Sequence, residues 1–183
     1  MRSLIYNAAV SLDGYIASPD GSTPWIVEDA SIDFDALYSA FDYFVMGRKT
    51  YEVMISFGGP NPLDTFPKHA VVVISRTMKQ DEHPNITVIS GDYVEYIREL
   101  KAGNGKDIWL MGGGEIAGTC LEARLVDGMD MAIMPVVLGR GIKMLAMPDA
   151  GSASAYKLEL TGLEKLERSG ILMTKYKVLQ RPV

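Results

Sequence analysis

The chain has 183 residues, 48% of them hydrophobic, and a formal net charge of −5. That length allows one domain, spanning 1–183, with a sizeable core, and an apolar content this high without a low-complexity tract excludes a disordered chain. The acidic balance argues against a nucleic-acid surface, and the N-terminal apolar run is too short for a membrane span or signal peptide, so a cytoplasmic setting is expected.

Leu4–Val10 is predicted to be a buried strand, followed by a loop with several turn signals at Ser18–Pro24. The spacing of Phe34, Leu37, Tyr38 and Phe41 is helical, with Ser31 as its N-cap. A short strand, Tyr43–Gly47, hands over directly to a helix over Arg48–Ile55, and prolines and glycines make Gly58–Pro67 a long loop. The unbroken β-branched run Ala70–Ser75 reads as a strand buried on both faces. A short strand over Ile86–Ile89 and a helix over Tyr93–Lys101 follow, the helix closed by Gly103-Asn104-Gly105. Asp107–Met111 is again a buried strand, then three glycines open a helix from Glu115 to about Arg124.

The stretch Met129–Gly139 starts as a strand that ends near Pro135, whose missing N–H argues against a central place in a sheet. Lys157–Leu179 alternates like antiparallel strands, turning at Ser169-Gly170. Together these predict an α/β three-layer sandwich, with a mostly parallel central sheet and an antiparallel C-terminal edge.

In such sheets ligands sit beyond the carboxyl ends of the strands. Three of those ends carry residues suited to anions. Gly47-Arg48-Lys49-Thr50 places two cations in the first turn of a helix, where the dipole disfavours them unless an anion lies among them. Ser75-Arg76 ends the most apolar strand with a planar guanidinium fork suited to a phosphate monoester. Gly112-Gly113-Gly114-Glu115-Ile116 offers backbone N–H groups at a helix start, able to hold a pyrophosphate without any side chain. The triplet satisfies the Rossmann spacing, but it comes too late in the chain for that fold. Three anion sites on one rim suit a dinucleotide with an extra phosphate. Cys120 is the sole cysteine, and His69 and His83 are far apart, so neither a disulfide nor a metal site is expected. Cys120, Trp109, Met129, Met131 and Met134 read as structural, although the apolar run from Met131 could also meet a second copy.

In order and spacing, Pro24-Trp25, Val45–Glu52, Val71–Thr77 and Gly112–Ile116 resemble dihydrofolate reductase. Ser11–Ala17 and Leu125–Gly141 are more similar to the reductase domain of bacterial riboflavin biosynthesis, the RibD C-terminal family, which shares that fold. The resemblance implies an NADPH-dependent reductase acting on a small molecule, most closely the riboflavin-type phosphoribosylaminouracil, and a homodimer. It puts Ala9 and Ile16 beside the nicotinamide, and Gly47, Arg48, Lys49 and Thr50 on phosphates. Ser75 and Arg76 would take the 2′-phosphate, and Gly112, Gly113, Gly114, Glu115 and Ile116 the pyrophosphate. The loop Ser18–Trp25 would close over the hydride-transfer site.

The sequence also departs from folate reductases. Their catalytic acid falls in register on Ala30, with Glu28 and Asp29 just before it and Asp33 just after; one of these acids could serve, and Glu28 and Asp33 are taken as the candidates. Their glutamate-clamping arginine is replaced by Lys68-His69. Arg140 and Lys143 are candidates for a sugar phosphate. Pterin, imine or carbonyl reduction is the second enzymatic expectation, and a cofactor-binding module without turnover is a third, non-enzymatic one.

Overall fold

The computed structural model describes residues 1–56, 61–147 and 155–182. Its elements are β1 (Leu4–Ser11), β2 (Tyr15–Ala17), α1 (Phe34–Ser39), β3 (Phe41–Gly47), α2 (Arg48–Ser56), β4 (Val71–Ile74) and β5 (Thr87–Ile89). They continue with α3 (Tyr93–Ala102), β6 (Asp107–Gly112), α4 (Gly114–Glu122), β7 (Gly128–Met134), β8 (Ile142–Lys143), β9 (Tyr156–Lys165) and β10 (Leu172–Pro182). Of the loop expected over Gly58–Pro67, residues 58–60 lie outside the described part, and Pro62–Thr65 forms a short 3-10 turn.

Eight strands make one sheet in the order β5-β4-β3-β6-β1-β7-β10-β9. The six from β5 to β7 run parallel, and β10 and β9 add an antiparallel edge. Side-chain alternation sorts the strands' residues into two cores. Leu4, Tyr6, Val45, Val72 and Leu110 pack with Ile97 of α3 and with Ala117, Cys120 and Leu121 of α4. Their odd-register neighbours Phe44, Met46, Val71, Val73 and Trp109 pack with Leu37 and Tyr38 of α1 and Tyr51 and Met54 of α2. Helices therefore cover both faces, as a parallel sheet requires.

Three expectations are corrected. Asp33, not Ser31, caps α1, its carboxylate accepting from Ala36 N at 2.9 Å, while Ser31 bonds Asp29. Phe41 is not on that helix; it is the buried first residue of β3. And β7 is an inner strand, between β1 and β10, because it stops at Met134, one residue before the proline that would have interrupted its ladder. Met129, Met131 and Met134 are all buried in the chain's own cores, so the run from Met131 leaves little for a second copy beyond exposed Val137. Cys120 is fully buried, and burial pushes its thiol up to about 12.

The ribbon of β2 and β8 was not foreseen. These two short strands pair antiparallel apart from the main sheet, Tyr15 opposite Lys143 and Ala17 opposite Ile142.

Candidate functional site

Parallel register alone brings the three anion-suited turns to one rim. Gly47 lies opposite Ile74, so β3 and β4 end together, and Met46 lies opposite Gly112 on β6. The centre of the rim is close-fitting. A Cβ on Gly47 would stand 3.0 Å from Ile116 Cδ1 and 3.7 Å from Gly113 N. Thr50 Oγ1 lies 3.9 Å from the Cβ positions of both Gly112 and Gly113, and it makes no hydrogen bond among the described residues. Gly112 has φ +116°, a conformation that L side chains rarely adopt, so glycine is required there.

Gly114 is bare for a different reason from the one expected. A Cβ there would fall on the carbonyl oxygen of Lys143, and its own carbonyl accepts from Ala146 N at 3.0 Å. The stretch after β8 thus lies directly on the first turn of α4, and the chain itself fills the space that a ligand was expected to need. Gly113 keeps an open side and serves as the N-cap of α4. Glu115 is exposed in the first turn, where the helix dipole favours a carboxylate.

The charged residues of the rim differ in how far the fold uses them. Arg48 pairs with Glu52 one turn along α2, at 2.6 Å, both side chains well exposed. Lys49 is exposed and makes no ion pair among the described residues. It lines a cleft of about 370 Å³ together with the turn Pro19–Gly21, Glu52, Ser56 and Ile142. The expected closing loop therefore does face α2 across a gap. Ser75 is buried, and its hydroxyl accepts from Thr77 N at 3.2 Å and Met78 N at 3.0 Å, which shapes the turn that presents Arg76. Arg76 is exposed and without an ion pair among the described residues.

Ala9, on β1, packs against the buried cluster of Met134, Leu166 and Ile171, as do Trp25, Ile26 and Val27, and Ile16 sits half-buried on β2. Arg140 and Lys143 are both exposed. No cluster of three or more His, Cys, Asp or Glu could hold a metal among the described residues.

Glu28 is exposed, and the Asp33 carboxylate caps α1. Asp29, the third acid beside Ala30, is the buried one. Its Oδ1 accepts from Ser31 N at 2.9 Å and from the Ser31 hydroxyl at 2.6 Å. Its Oδ2 and Trp25 Nε1 are buried with no hydrogen-bond partner among the described residues. The Ser169 hydroxyl beside it, then the Ser31 hydroxyl and N–H, hold its carboxyl down at about 2, helped by the charge of Arg168 and opposed by burial. At neutral pH this group is a carboxylate, with no proton to give. Across the fold it lies beside the β9–β10 turn, a proximity that no local sequence signal announces.

Comparison with known proteins agrees with this architecture. Over 148 residues the chain is 31% identical to the uncharacterised protein YyaP of Bacillus subtilis, covering 76% of this chain and 78% of that one. A candidate riboflavin biosynthesis protein from Shewanella sp. PV-4 superposes with a TM-score of 0.78 at 27% identity, covering 97% of this chain and 99% of that one. The diaminohydroxyphosphoribosylaminopyrimidine deaminase/5-amino-6-(5-phosphoribosylamino)uracil reductase of Thermotoga maritima shares the fold, with a TM-score of 0.65 at 15% identity, 97% of this chain matching 57% of that longer one. The model of the RibD C-terminal domain matches residues 2–172, and the chain belongs to that family.

Proposed function

We propose that this chain is an NADPH-dependent reductase, with a phosphoribosylaminouracil of the riboflavin type as its substrate. One observation carries the reading: three adjacent strand ends offer anion-binding groups that the fold itself leaves unused. Lys49, the Thr50 hydroxyl and the open backbone at Gly113 sit together at the ends of β3 and β6, and Arg76 stands free at the neighbouring end of β4. These groups fit a pyrophosphate and a separate phosphate monoester. In this reading Arg48, Lys49, Thr50 and the N–H groups of Gly113, Glu115 and Ile116 hold the bridging phosphates, Ser75 and Arg76 take the 2′-phosphate, and Ala9 and Ile16 wall the reacting end. NADPH, when bound, supplies the hydride. Membership of the RibD C-terminal family, together with the solved Thermotoga maritima protein named as a uracil reductase, supports the substrate class.

The chain's part is to orient the reactants and exclude water, which is where a hydride step gains most from a protein. The turn Pro19–Gly21 and Ile142 stand across the cleft from α2 and are placed to do so. Asp29 is ionised and Asp33 is a helix cap, so neither supports the pterin-type proton delivery of a folate reductase.

The test is absorbance at 340 nm with NADPH and 5-amino-6-(5-phosphoribosylamino)uracil, alongside calorimetry with NADPH and NADH. Turnover with a clear preference for NADPH is expected. Tight NADPH binding without turnover on this or any carbonyl or imine acceptor would make the chain a binding module, and no NADPH binding would overturn the reading altogether. We read the assembly as a homodimer working in the cytoplasm. The exposed leucines Leu158, Leu160 and Leu163 on edge strand β9 are the apolar surface that favours pairing, and light scattering tests it.

A further inference from the structure

Asp13 lies in the turn after β1, exposed, and makes no ion pair among the described residues. Its carboxylate is nevertheless fully engaged. Oδ1 accepts from the Ser11 hydroxyl at 2.7 Å and from Leu138 N at 3.1 Å, and Oδ2 accepts from Gly139 N at 2.7 Å. The Ser11 hydroxyl, together with the Leu138 and Gly139 N–H groups, holds this carboxyl below the usual range against partial desolvation.

The bonds of Asp13 belong to a longer seam. Leu12 N donates to Val136 O at 2.8 Å on one side, and Met144 N donates to Gly14 O at 2.9 Å on the other. Between these points the chain from Val136 to Met144 is fastened to the β1–β2 turn. It then continues over α4, where Lys143 meets Gly114 and the Tyr6 hydroxyl donates to Met144 O at 2.8 Å. The β2–β8 ribbon, whose Ile142 lines the cleft opposite Lys49, hangs from this seam. Only two of its residues lie in β8, too few to hold a register by pairing alone.

We propose that Asp13 is a positioning residue of the cleft: its carboxylate fixes the loop 136–141 to the β1–β2 turn and thereby sets where the ribbon and Ile142 stand relative to α2. The inference rests on the reductase reading for its kinetic consequence, but not for its structural one. A carboxylate is the group the geometry calls for, since two backbone N–H groups on different residues approach different oxygens of one side chain. Asn at this position keeps a single acceptor, and Ala keeps none.

The experiment is hydrogen exchange at the Leu138 and Gly139 amides in the full chain, for wild type, Asp13→Asn and Asp13→Ala, together with NADPH affinity, kcat and thermal midpoint. In Asp13→Ala both amides are expected to exchange at least tenfold faster, with the thermal midpoint nearly unchanged. NADPH affinity should change less than threefold, because the phosphate-binding groups lie on other elements, while kcat falls about tenfold. Asp13→Asn should protect one of the two amides and recover part of kcat. Unchanged exchange in Asp13→Ala overturns the proposal, and so does faster exchange with an unchanged kcat. If the wild type neither binds nor oxidises NADPH, the reductase reading fails by itself and the exchange result alone decides whether Asp13 holds the loop.

Discussion

At the amino ends of the parallel strands, charge holds the fold together; at the carboxyl ends, much of it is left over. On the amino rim Arg2 lies 5.0 Å from the centre of the Tyr43 ring and 3.6 Å from Asp42, which also accepts from Lys106 N at 2.9 Å. Asp107 accepts from Ser3 N and Asp127 from Leu4 N, each at 2.8 Å, and Lys101 pairs with Asp127 and bonds the Leu125 carbonyl. On the carboxyl rim Lys49 and Arg76 have no carboxylate partner among the described residues, and Arg48 has one only on its own helix. The larger cleft, about 530 Å³ against about 370 Å³, is the one at the amino rim. In the proposed reading, size is therefore not what marks the site. The site is marked there by charge that the fold has not already consumed: Lys49 stands in the first turn of α2, where the helix dipole disfavours a cation unless an anion lies beside it, and exposed Arg76 is free to meet a ligand.

The sharpest way to break this contrast is at the glycines, which the two readings explain differently. Gly114→Val puts branched carbon on the Lys143 carbonyl, and overpacking of this kind costs about 1–3 kcal/mol even where neighbours can shift. Here the neighbour is backbone, so loss of a cooperative thermal transition is expected. Gly113→Ala should fold normally and weaken NADPH, since its open side faces Thr50. A folded Gly114→Val with unchanged stability would show that the stretch after β8 does not lie on α4. Next in size is Arg76→Ala. Loss of a charged hydrogen bond to the 2′-phosphate is worth about 1.5–3 kcal/mol, so NADPH should weaken at least tenfold while NADH is unaffected. Equal losses for both cofactors, by titration calorimetry, would remove Arg76 from its assigned place. Asp127→Ala is the mirror experiment on the amino rim. It frees a backbone N–H and a lysine, for about 1–3 kcal/mol of stability by urea unfolding, and should leave NADPH affinity alone.

The rim itself was legible in the sequence, because each of its parts is local. β4 and β6 announce themselves as unbroken apolar runs, each ends in an anion-suited turn, and parallel pairing then lines the turns up without further information. What escaped reading depends on contacts between distant segments. Asp13 meets Gly139 across 126 positions, and its Asp-Gly turn looks like any other. β8 is two residues long and has no period to detect. Gly114 stands in a triplet that reads as one motif, although only its first two members have space or backbone angles of their own to explain them. At the start of α1 both Ser31 and Asp33 could cap, and the choice fell to Asp33 once Asp29 had claimed the Ser31 hydroxyl.

The smallest expected effect asks whether Asp29, a carboxylate outside the amino rim, behaves like those of the amino rim, as a fastening. Asp29 has its carboxyl lowered to about 2 from an ordinary value of 3.8, with the Ser169 hydroxyl as the largest cause. A group depressed in the folded state stabilises that state above its unfolded pKa, and the contribution is lost as pH falls through the folded value. The strap carrying Trp25 and Asp29 should therefore stay packed at pH 5 and loosen from the β9–β10 turn between about pH 4 and pH 2. The chain has two tryptophans, so in a Trp109→Phe background Trp25 fluorescence reports this strap alone. Asp29→Asn cannot titrate, so in the same background its Trp25 signal should be flat across that window wherever the global fold survives. If the Asp and Asn forms titrate alike, the acid response belongs to another carboxylate, and Asp29 holds nothing that Asn does not.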